Sequence, residues 1–539
     1  MPTIGQFLIS RLEGLAQHAF GVPGDYVLNF YDQLSRKIDL VNTTDEQCAG
    51  FAADAYARVR DFGIVCATYC VGGFKLVNPL AGAYAEKSPV LFISGSPGVK
   101  ERNADFLLHH MVGAFECQRK VFEHITCASA VLDDPSWAGF HIDRVIAAIK
   151  HHKQPGYIEL PRDMVDRNIK YDVYVQGAPQ AVQSDPENLA ESIDKSADWI
   201  SRSKNPVILA GVEVARFGLG KDLMRFAEKA NIPVACTLLG KSVVNERHPL
   251  FLGVYCGGMS EQFVRDTVEN SDCVIMLGVM QTDMNLAFQP MKCDQTNVIF
   301  ANTDRCRIRR STYERVNFTD FAARLLASDV VKKPAVSMPP RTARSFSPRP
   351  NCKITSARLF DQINSILDEG MAIIADVGDS MFGASELTVH HRHHFLAPAF
   401  YASMGFAVPA ALGVETALRD VRPIVVVGDG AFQMTGMELS TIVKRGYRPI
   451  IFVLNNAGYT TERFLLDGPF NDVQMWNYHK VPEIIGGGTG YLVTNEEELA
   501  SAVQQAVANK CMSIIDVRVD AMDATPALKR MMQHPAQKV

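Results

Sequence analysis

Short β-branched runs recur along this chain, each handing over to a helix-like stretch, and one pair of them constrains the fold most. The segment RPIVVVGDGAFQMTGMELSTIVKRGYRPIIFVLNN ends at Asn456. Its first apolar run, Ile424 to Val427, stops at Gly428-Asp429-Gly430, and its second, Ile450 to Leu454, stops at Asn455-Asn456. If the two runs are parallel neighbours, Asp429 and Asn456 emerge side by side at the carboxyl edge of a sheet, where open α/β sheets bind ligands. One carboxylate and one amide oxygen suit a hard cation such as Mg²⁺, which takes its other ligands from phosphate and water. The glycines let backbone approach a phosphate, and the following helix offers its N-terminus. The pattern predicts a metal–diphosphate site.

The same alternation fills the rest of the chain. FGIVCATYC and SPVLFISG read as strands early on, with a helix from Gln47 to Arg60. NPVILAG, IPVACTL and SDCVIMLG follow, then MAIIADVG, RPIVVVGDG, RPIIFVLNN and MSIIDVRV. Strands alternating with helices give parallel sheets flanked by helices, so the expected class is α/β. A chain of 539 residues has room for several such domains. Two polar, Pro-marked breaks divide it, DVYVQGAPQAVQSDPEN at 172–188 and KKPAVSMPPRTARSFSPRPNC at 332–352, the second read as an exposed linker. Three domains follow, at 1–175, 185–332 and 350–539, each with a mainly parallel sheet. In the middle one, GVEVARFGLG does not satisfy G-x-G-x-x-G, so a structural spacer is expected there rather than a dinucleotide site.

Bulk chemistry narrows the classes further. With 21% charged residues, a net charge of −5 and no long basic run, the chain offers no nucleic-acid-binding face. The N-terminus MPTIGQFLISRLEG is amphipathic rather than signal-like, and no stretch approaches the ~18 apolar residues of a membrane span. Twelve cysteines are scattered between Cys48 and Cys511, mostly in apolar runs, and Cys66 and Cys70 lack zinc-site spacing. Buried free thiols in a reducing cytoplasm are the expectation.

The GDG-x24-NN arrangement resembles the thiamine diphosphate signature. From about Ile4 to about Leu528 the chain is similar to the thiamine-diphosphate-dependent 2-oxo acid decarboxylases, the family of pyruvate, indolepyruvate and phenylpyruvate decarboxylases. The resemblance implies a pyrimidine-binding, a middle and a diphosphate-binding domain, in that order. It makes Asp429, Asn456 and the Gly458 carbonyl the Mg²⁺ ligands. Gly430, Ala431, Asp379 and Ser380 would meet the diphosphate, with Tyr459 and Thr460 beside them. Met404 in YASMGFAVPAALG would wedge the cofactor into a bent form, and the Ala402 carbonyl would hold its amino group.

Glu46 lies in TTDEQCAGFAADAYAR, which resembles the segment whose glutamate bonds the pyrimidine nitrogen. An acid there favours the imino tautomer that generates the ylid. Thr43-x-x-Glu46 alone is also a helix capping box. Asp25 in FGVPGDYVL, the pair His109-His110 in LLHHMVG, and Glu462 in NNAGYTTER match the family's proton-handling set. Singly, an Asp in PGD is a turn former and a His pair an ordinary surface feature. The implied reaction is non-oxidative decarboxylation of a 2-oxo acid to an aldehyde and CO₂ through ylid and enamine. Glu462 would serve decarboxylation and enamine protonation; Asp25 and His110 would serve product release, with His109 supporting. The family arrangement sets Glu46 and Glu462 of different chains across one site, so a homodimer is the minimum unit and a homotetramer the usual assembly.

Pyruvate-specific relatives crowd the substrate methyl with aromatic residues. The matching positions here are Met284 and Met381, with Val377, Thr461 and Leu465 as further lining. Flexible methionines leave adaptable room, favouring phenylpyruvate, indolepyruvate or a long or branched aliphatic 2-oxo acid over pyruvate. A carboligase of the acetohydroxyacid synthase kind is the competing class, and it lacks the histidine pair and the acid after the metal loop. A cofactor-binding regulator without activity would have lost the proton-handling residues.

Overall fold

A computed structural model describes residues 1–103, 107–170, 183–287, 291–336, 338 and 345–533. Three sheets account for the strands, as the class expectation requires. The first runs Asp39–Asn42, His18–Gly21, Gly63–Ala67, Val90–Ser96, Gly156–Pro161, Ala128–Val131, every neighbour parallel. The third runs Phe395–Leu396, Met371–Ala375, Arg422–Gly428, Ile450–Asn455, Ser513–Arg518, Thr489–Val493, also parallel throughout. The seven-stranded middle sheet has five parallel strands and an antiparallel edge made by Cys306–Ile308 and Ser311–Tyr313. Central strands such as Val90–Ser96 are buried along their whole length, which is why they read as unbroken apolar runs rather than as alternation.

Contacts gather the chain into two compact units. One comprises Met1–Ala181, Tyr401–Val421 and Met434–Arg448; the other comprises Val182–Phe400, Arg422–Gln433 and Pro449–Val539. Within the first, the helix Glu46–Arg60 packs on Ala407–Ala417 at the closest backbone approach small residues allow. A Cβ at Gly413 would lie 2.1 Å from the Ala52 carbonyl oxygen. Buried in that packing, Arg58 donates to Asp54 at 2.7 Å and to Glu86 at 2.7 Å, so the guanidinium is paired on both sides. In the second unit, Lys241 is buried against both carboxylate oxygens of Glu246, at 2.9 and 2.8 Å, and donates to the Leu387 carbonyl.

Three local expectations change. Of the 172–188 break, 172–182 lies outside the described residues, and Pro186 to Asn188 form the first turn of the helix Pro186–Arg202. Asp185 caps that helix with Pro at its first turn, a start signal that reads as a loop only if polarity alone is counted. The 332–352 linker, of which 337 and 339–344 lie outside the described residues, is exposed over most of its described length, with one exception near its start. Lys333 is buried, its Nζ donating to the Ser201 and Ser203 carbonyls at 2.9 and 2.8 Å. The capping box at Thr43 does not form either: Asp45 is the cap, accepting from Gln47 N at 2.8 Å, and Glu46 is the first helical residue. All twelve cysteines are free, seven of them buried. No helix among the described residues is long and apolar enough to cross a membrane.

Candidate functional site

The strands Arg422–Gly428 and Ile450–Asn455 are parallel neighbours in register, with Gly428 beside Leu454. Asp429 and Asn456 therefore leave the same carboxyl edge within about one residue of each other. Asp429 is 1% exposed and Asn456 8%. Asp429 accepts from Gly430 N at 2.7 Å, Asn456 N at 3.2 Å and Gly458 N at 3.3 Å, and Asn456 Oδ1 lies 3.3 Å from the same Gly458 N. Carboxylate and amide oxygens thus converge on one point of the loop. Among the described residues no cationic side chain pairs with this carboxylate, and burial pushes it up to about 6, opposed by the backbone N–H donors. Two converging oxygens on a buried, otherwise uncompensated acid fit a hard divalent ion.

The loop is built to hold that convergence. Ala457 takes a left-handed φ of 56°, and a Cβ on Gly458 would lie 2.5 Å from the Asn471 carbonyl oxygen, so only glycine fits. Arg463, buried in the helix Thr460–Leu465, donates to the Asn456 carbonyl at 3.2 Å, the Ala457 carbonyl at 2.8 Å and Asp472 at 2.8 Å. Asn456 Nδ2 is in hydrogen-bond contact with Thr460 Oγ1. On the other side, a Cβ on Gly430 would meet the Tyr459 ring at 2.4 Å, so Tyr459 closes over the turn. Behind these, Asp516 on the adjacent strand accepts from Asn455 Nδ2 at 2.7 Å and Tyr478 N at 3.1 Å. Ala431 is buried.

Asp379 and Ser380 begin the helix Asp379–Ala384, after the strand Met371–Ala375 and Gly378 at φ 87°. Both are buried, but Asp379 is already engaged: it accepts from Thr525 N at 3.0 Å and Thr525 Oγ1 at 2.5 Å. Burial raises it to about 6, with the Thr525 bonds opposing. Thr525 caps the helix Pro526–Met532, so the C-terminal segment starts as a docked helix; 534–539 lies outside the described residues.

Glu46, Ala402, Met404, Asp25, His109 and His110 belong to the first unit. Glu46, 8% exposed, lies 3.2 Å from Lys75 Nζ, and a Cβ on Gly72 would meet its Oε1 at 2.9 Å. Ala402 adopts φ 57°, unusual for a residue with a Cβ, and the preceding Tyr401 N donates to Glu86 at 2.9 Å. Ser403, next to Met404, accepts from Asn78 at 2.8 Å, and Gly405 at φ 85° receives the Thr435 hydroxyl on its carbonyl at 2.8 Å. The Ala402–Met404 segment is thus tied down on both sides. Asp25, His109 and His110 meet: Asp25 Oδ2 is 2.7 Å from His109 Nε2, and Oδ1 is 3.9 Å from His110 Nε2.

In the second unit, Glu462 is exposed on the helix Thr460–Leu465. Met381 is 0% exposed and belongs to the apolar core, against which half-buried Met284 packs. Val377, Thr461 and Leu465 are half-buried. Thr461 Oγ1 is buried without a hydrogen-bond partner, 3.5 Å from where a Cβ on Gly378 would be. Sequence reasoning missed Arg463, Lys75, Glu86 and Thr525. Arg463 stands in the quoted NNAGYTTER, and a basic residue beside a loop of carbonyls was the available signal; the other three are distant in sequence from what they hold.

Sequence-family models described as "Thiamine pyrophosphate enzyme" match residues 2–121 (N-terminal TPP binding domain), 193–327 (central domain) and 376–517 (C-terminal TPP binding domain). The chain is 34% identical to an indole-3-pyruvate decarboxylase of Azospirillum brasilense, over 92% of this chain and 91% of that one. It is 32% identical to an alpha-keto-acid decarboxylase of Mycobacterium leprae, over 99% and 96%. It is 28% identical to pyruvate decarboxylase isozyme 3 of Saccharomyces cerevisiae, over 98% of both.

Proposed function

The chain belongs to the thiamine-diphosphate-dependent 2-oxo acid decarboxylases, and from that premise we propose which of its residues perform the reaction and on which substrate. The carrying observation is the convergence of Asp429 and Asn456 on one buried loop, held by Arg463. In this reading Asp429, Asn456 and the Gly458 carbonyl hold Mg²⁺. Gly430, Ala431, Ser380, Tyr459 and Thr460 receive the diphosphate, and Asp379 contributes while keeping its bond to Thr525. When bound, thiamine diphosphate supplies a nucleophilic carbon and an electron sink for the bond to the departing carboxylate.

The protein's own groups do the rest. Glu46 exchanges a proton at the pyrimidine nitrogen, with Lys75 beside it. The Ala402 carbonyl, on a left-handed backbone, would accept from the cofactor's amino group, and Met404 would lie against the cofactor. Glu462 serves the carboxylate-losing and protonating steps; Asp25 and His110 remove the hydroxyl proton that frees the aldehyde, with His109 holding Asp25. A homodimer is the minimum active unit and a homotetramer the assembly, acting in the cytoplasm. The domain limits remain 1–175, 185–332 and 350–539.

For substrate we favour a bulky 2-oxo acid, phenylpyruvate, indolepyruvate or a long or branched aliphatic one. Supporting this is methionine at Met284, and the name of the 34% identical relative, which acts on indole-3-pyruvate. Met381 acts from within the core wall, so its part is to leave the wall deformable. Purified protein with thiamine diphosphate and Mg²⁺ is given pyruvate, 2-oxoisovalerate, phenylpyruvate and indolepyruvate, and aldehyde is measured. The highest kcat/KM is expected on an aromatic or branched acid; a marked preference for pyruvate overturns the substrate reading.

A further inference from the structure

We propose that Asp25, His109 and His110 form a second metal site, one that takes a borderline transition ion such as Zn²⁺ and blocks the enzyme when filled. The ligand atoms of these three side chains all lie within 4.8 Å of one another. An ion held at about 2.0–2.2 Å by each of two ligands sets those ligands roughly 3.4 Å apart in a tetrahedral site. The observed separations, 2.7 Å to His109 and 3.9 Å to His110, bracket that distance. The side chains are 43%, 55% and 31% exposed, so rotation of well under a residue's length brings them to it.

Two observations show that this grouping is held rather than incidental. Adjacent side chains on an extended strand point to opposite faces. Here His110 takes a left-handed φ of 67°, and the two imidazoles lie on one side with ring centroids 4.7 Å apart. The other nitrogen of His109 is also committed. Tyr26 stacks on that ring at 4.6 Å, its hydroxyl donates to the His109 carbonyl at 3.3 Å, and His109 Nδ1 lies 3.3 Å from the same oxygen. With its own proton given to the carbonyl, the Tyr26 oxygen accepts from Nδ1–H, and an ion at Nε2 takes the place of the proton which that nitrogen shares with Asp25. A ligating histidine anchored through its second nitrogen is the arrangement metal sites use to fix tautomer and ring orientation. The nearest cation, Arg162, is 3.9 Å from Asp25 Oδ2 but is paired with Glu101 and lies over the Tyr26 ring at 5.0 Å.

Two imidazoles and one carboxylate with an open fourth position suit zinc and not the oxygen-seeking Mg²⁺. The ion replaces the hydrogen bond between His109 Nε2 and Asp25, and its open position is where a substrate carboxylate or water binds. Binding itself needs nothing from the functional assignment; only the block on turnover rests on these residues handling protons in the decarboxylase.

The holoenzyme, saturated with thiamine diphosphate and Mg²⁺ so that the Asp429 loop is filled, is titrated with ZnCl₂ in a calorimeter and with CoCl₂ by visible absorption. One equivalent per chain is expected beyond the Mg²⁺, with the intense cobalt bands of four- or five-fold coordination. His109→Gln and His110→Gln are each expected to weaken it at least about 100-fold, and Tyr26→Phe about tenfold with the stoichiometry kept. Cys511→Ser, which removes the exposed thiol, is expected to change nothing. An equivalent that survives both histidine variants, or no binding at micromolar ion, overturns the site. In turnover, zinc is expected to raise KM for the 2-oxo acid and to be reversed by a zinc-selective chelator. Zinc bound by the trio with an unchanged rate overturns the block while the decarboxylase assignment stands or falls on its own assay.

Discussion

The first and third sheets share one topology. Numbered along each, the strands of both run 2-1-3-4-6-5, all parallel, and both carry candidate residues after their first, second and fourth strands. Asp25 and Asp379 follow the two first strands, Glu46 and Ala402–Met404 the two second strands, His109-His110 and Asn456–Leu465 the two fourth strands. What differs is how tightly each carboxyl edge turns. In the third sheet Asp429 and Asn456 are the first residues past their strands, so backbone N–H groups crowd them and water is excluded. In the first, twelve residues separate Ser96 from His109, and the resulting cluster is half open to solvent. In the proposed function one edge would anchor a charged group and the other would handle protons, a task that needs access. The same scaffold serves both because function lies in the loops.

The largest test of that division is Glu46→Gln, which keeps the side chain's size and removes its proton. Turnover is expected to fall by about 10²–10⁴-fold at saturating cofactor, with cofactor affinity changed far less. Asp429→Asn is expected to do the converse, weakening Mg²⁺-dependent cofactor retention. Equal losses of affinity in both variants would erase the distinction between anchor and proton handler. Fluorescence titration of cofactor beside steady-state assays reads the two apart.

Much of this was legible in the residues. The strand–GDG–helix–strand–NN run predicted two parallel strands and the emergence of Asp429 and Asn456 together, because parallel pairing with a short crossover leaves few alternatives. Burial on both strand faces made the central strands visible as apolar runs. The misses have a common cause. Glu46 was read against a cap at Thr43 because side-chain spacing says nothing of φ and ψ, and the neighbouring Asp45 won the cap. Lys75, Glu86 and Thr525 act across 29, 315 and 146 positions of sequence, and no local pattern marks such partners. Met381, expected in a pocket wall, is a core residue because its helix faces inward on every side.

The anchoring edge can be loosened without touching a ligand. Arg463→Leu removes the donors that hold the Asn456 and Ala457 carbonyls, and about a 10–100-fold loss of Mg²⁺ affinity is expected, with turnover recovered at high Mg²⁺. If high Mg²⁺ fails to restore turnover, Arg463 does more than position the loop.

A pH series sharpens the contrast by about tenfold per unit. Asp429 titrates near 6 in the folded protein against an ordinary 3.8. The metal takes the ionised form, so cofactor–Mg²⁺ affinity is expected to be flat above about pH 6 and to fall as pH drops through it. The sign for the metal-free fold is opposite. Between about pH 4 and 6 the folded state holds a proton the unfolded chain has released, so stability from this group rises on acidification. Thermal melts of apo protein against apo Asp429→Asn across that range should therefore converge as pH falls, while cofactor affinity declines.

The smallest effect belongs to Thr525, and it separates the two parts of one side chain's work. Its hydroxyl caps the helix Pro526–Met532 by accepting from Leu528 N at 3.3 Å, and donates to Asp379 at 2.5 Å. Loss of a cap costs about 1 kcal/mol at any pH. The bond to Asp379 matters only where that carboxyl is ionised, which its folded value of about 6 puts in the upper part of the range. Thr525→Ala is therefore expected to lower stability by about 1 kcal/mol below pH 5 and by more above pH 7, read from denaturant midpoints at constant slope. Thr525→Ser keeps both bonds and should match the parent throughout. A pH-independent loss would mean that the Thr525 hydroxyl adds nothing to Asp379 beyond what the Thr525 backbone N–H already supplies.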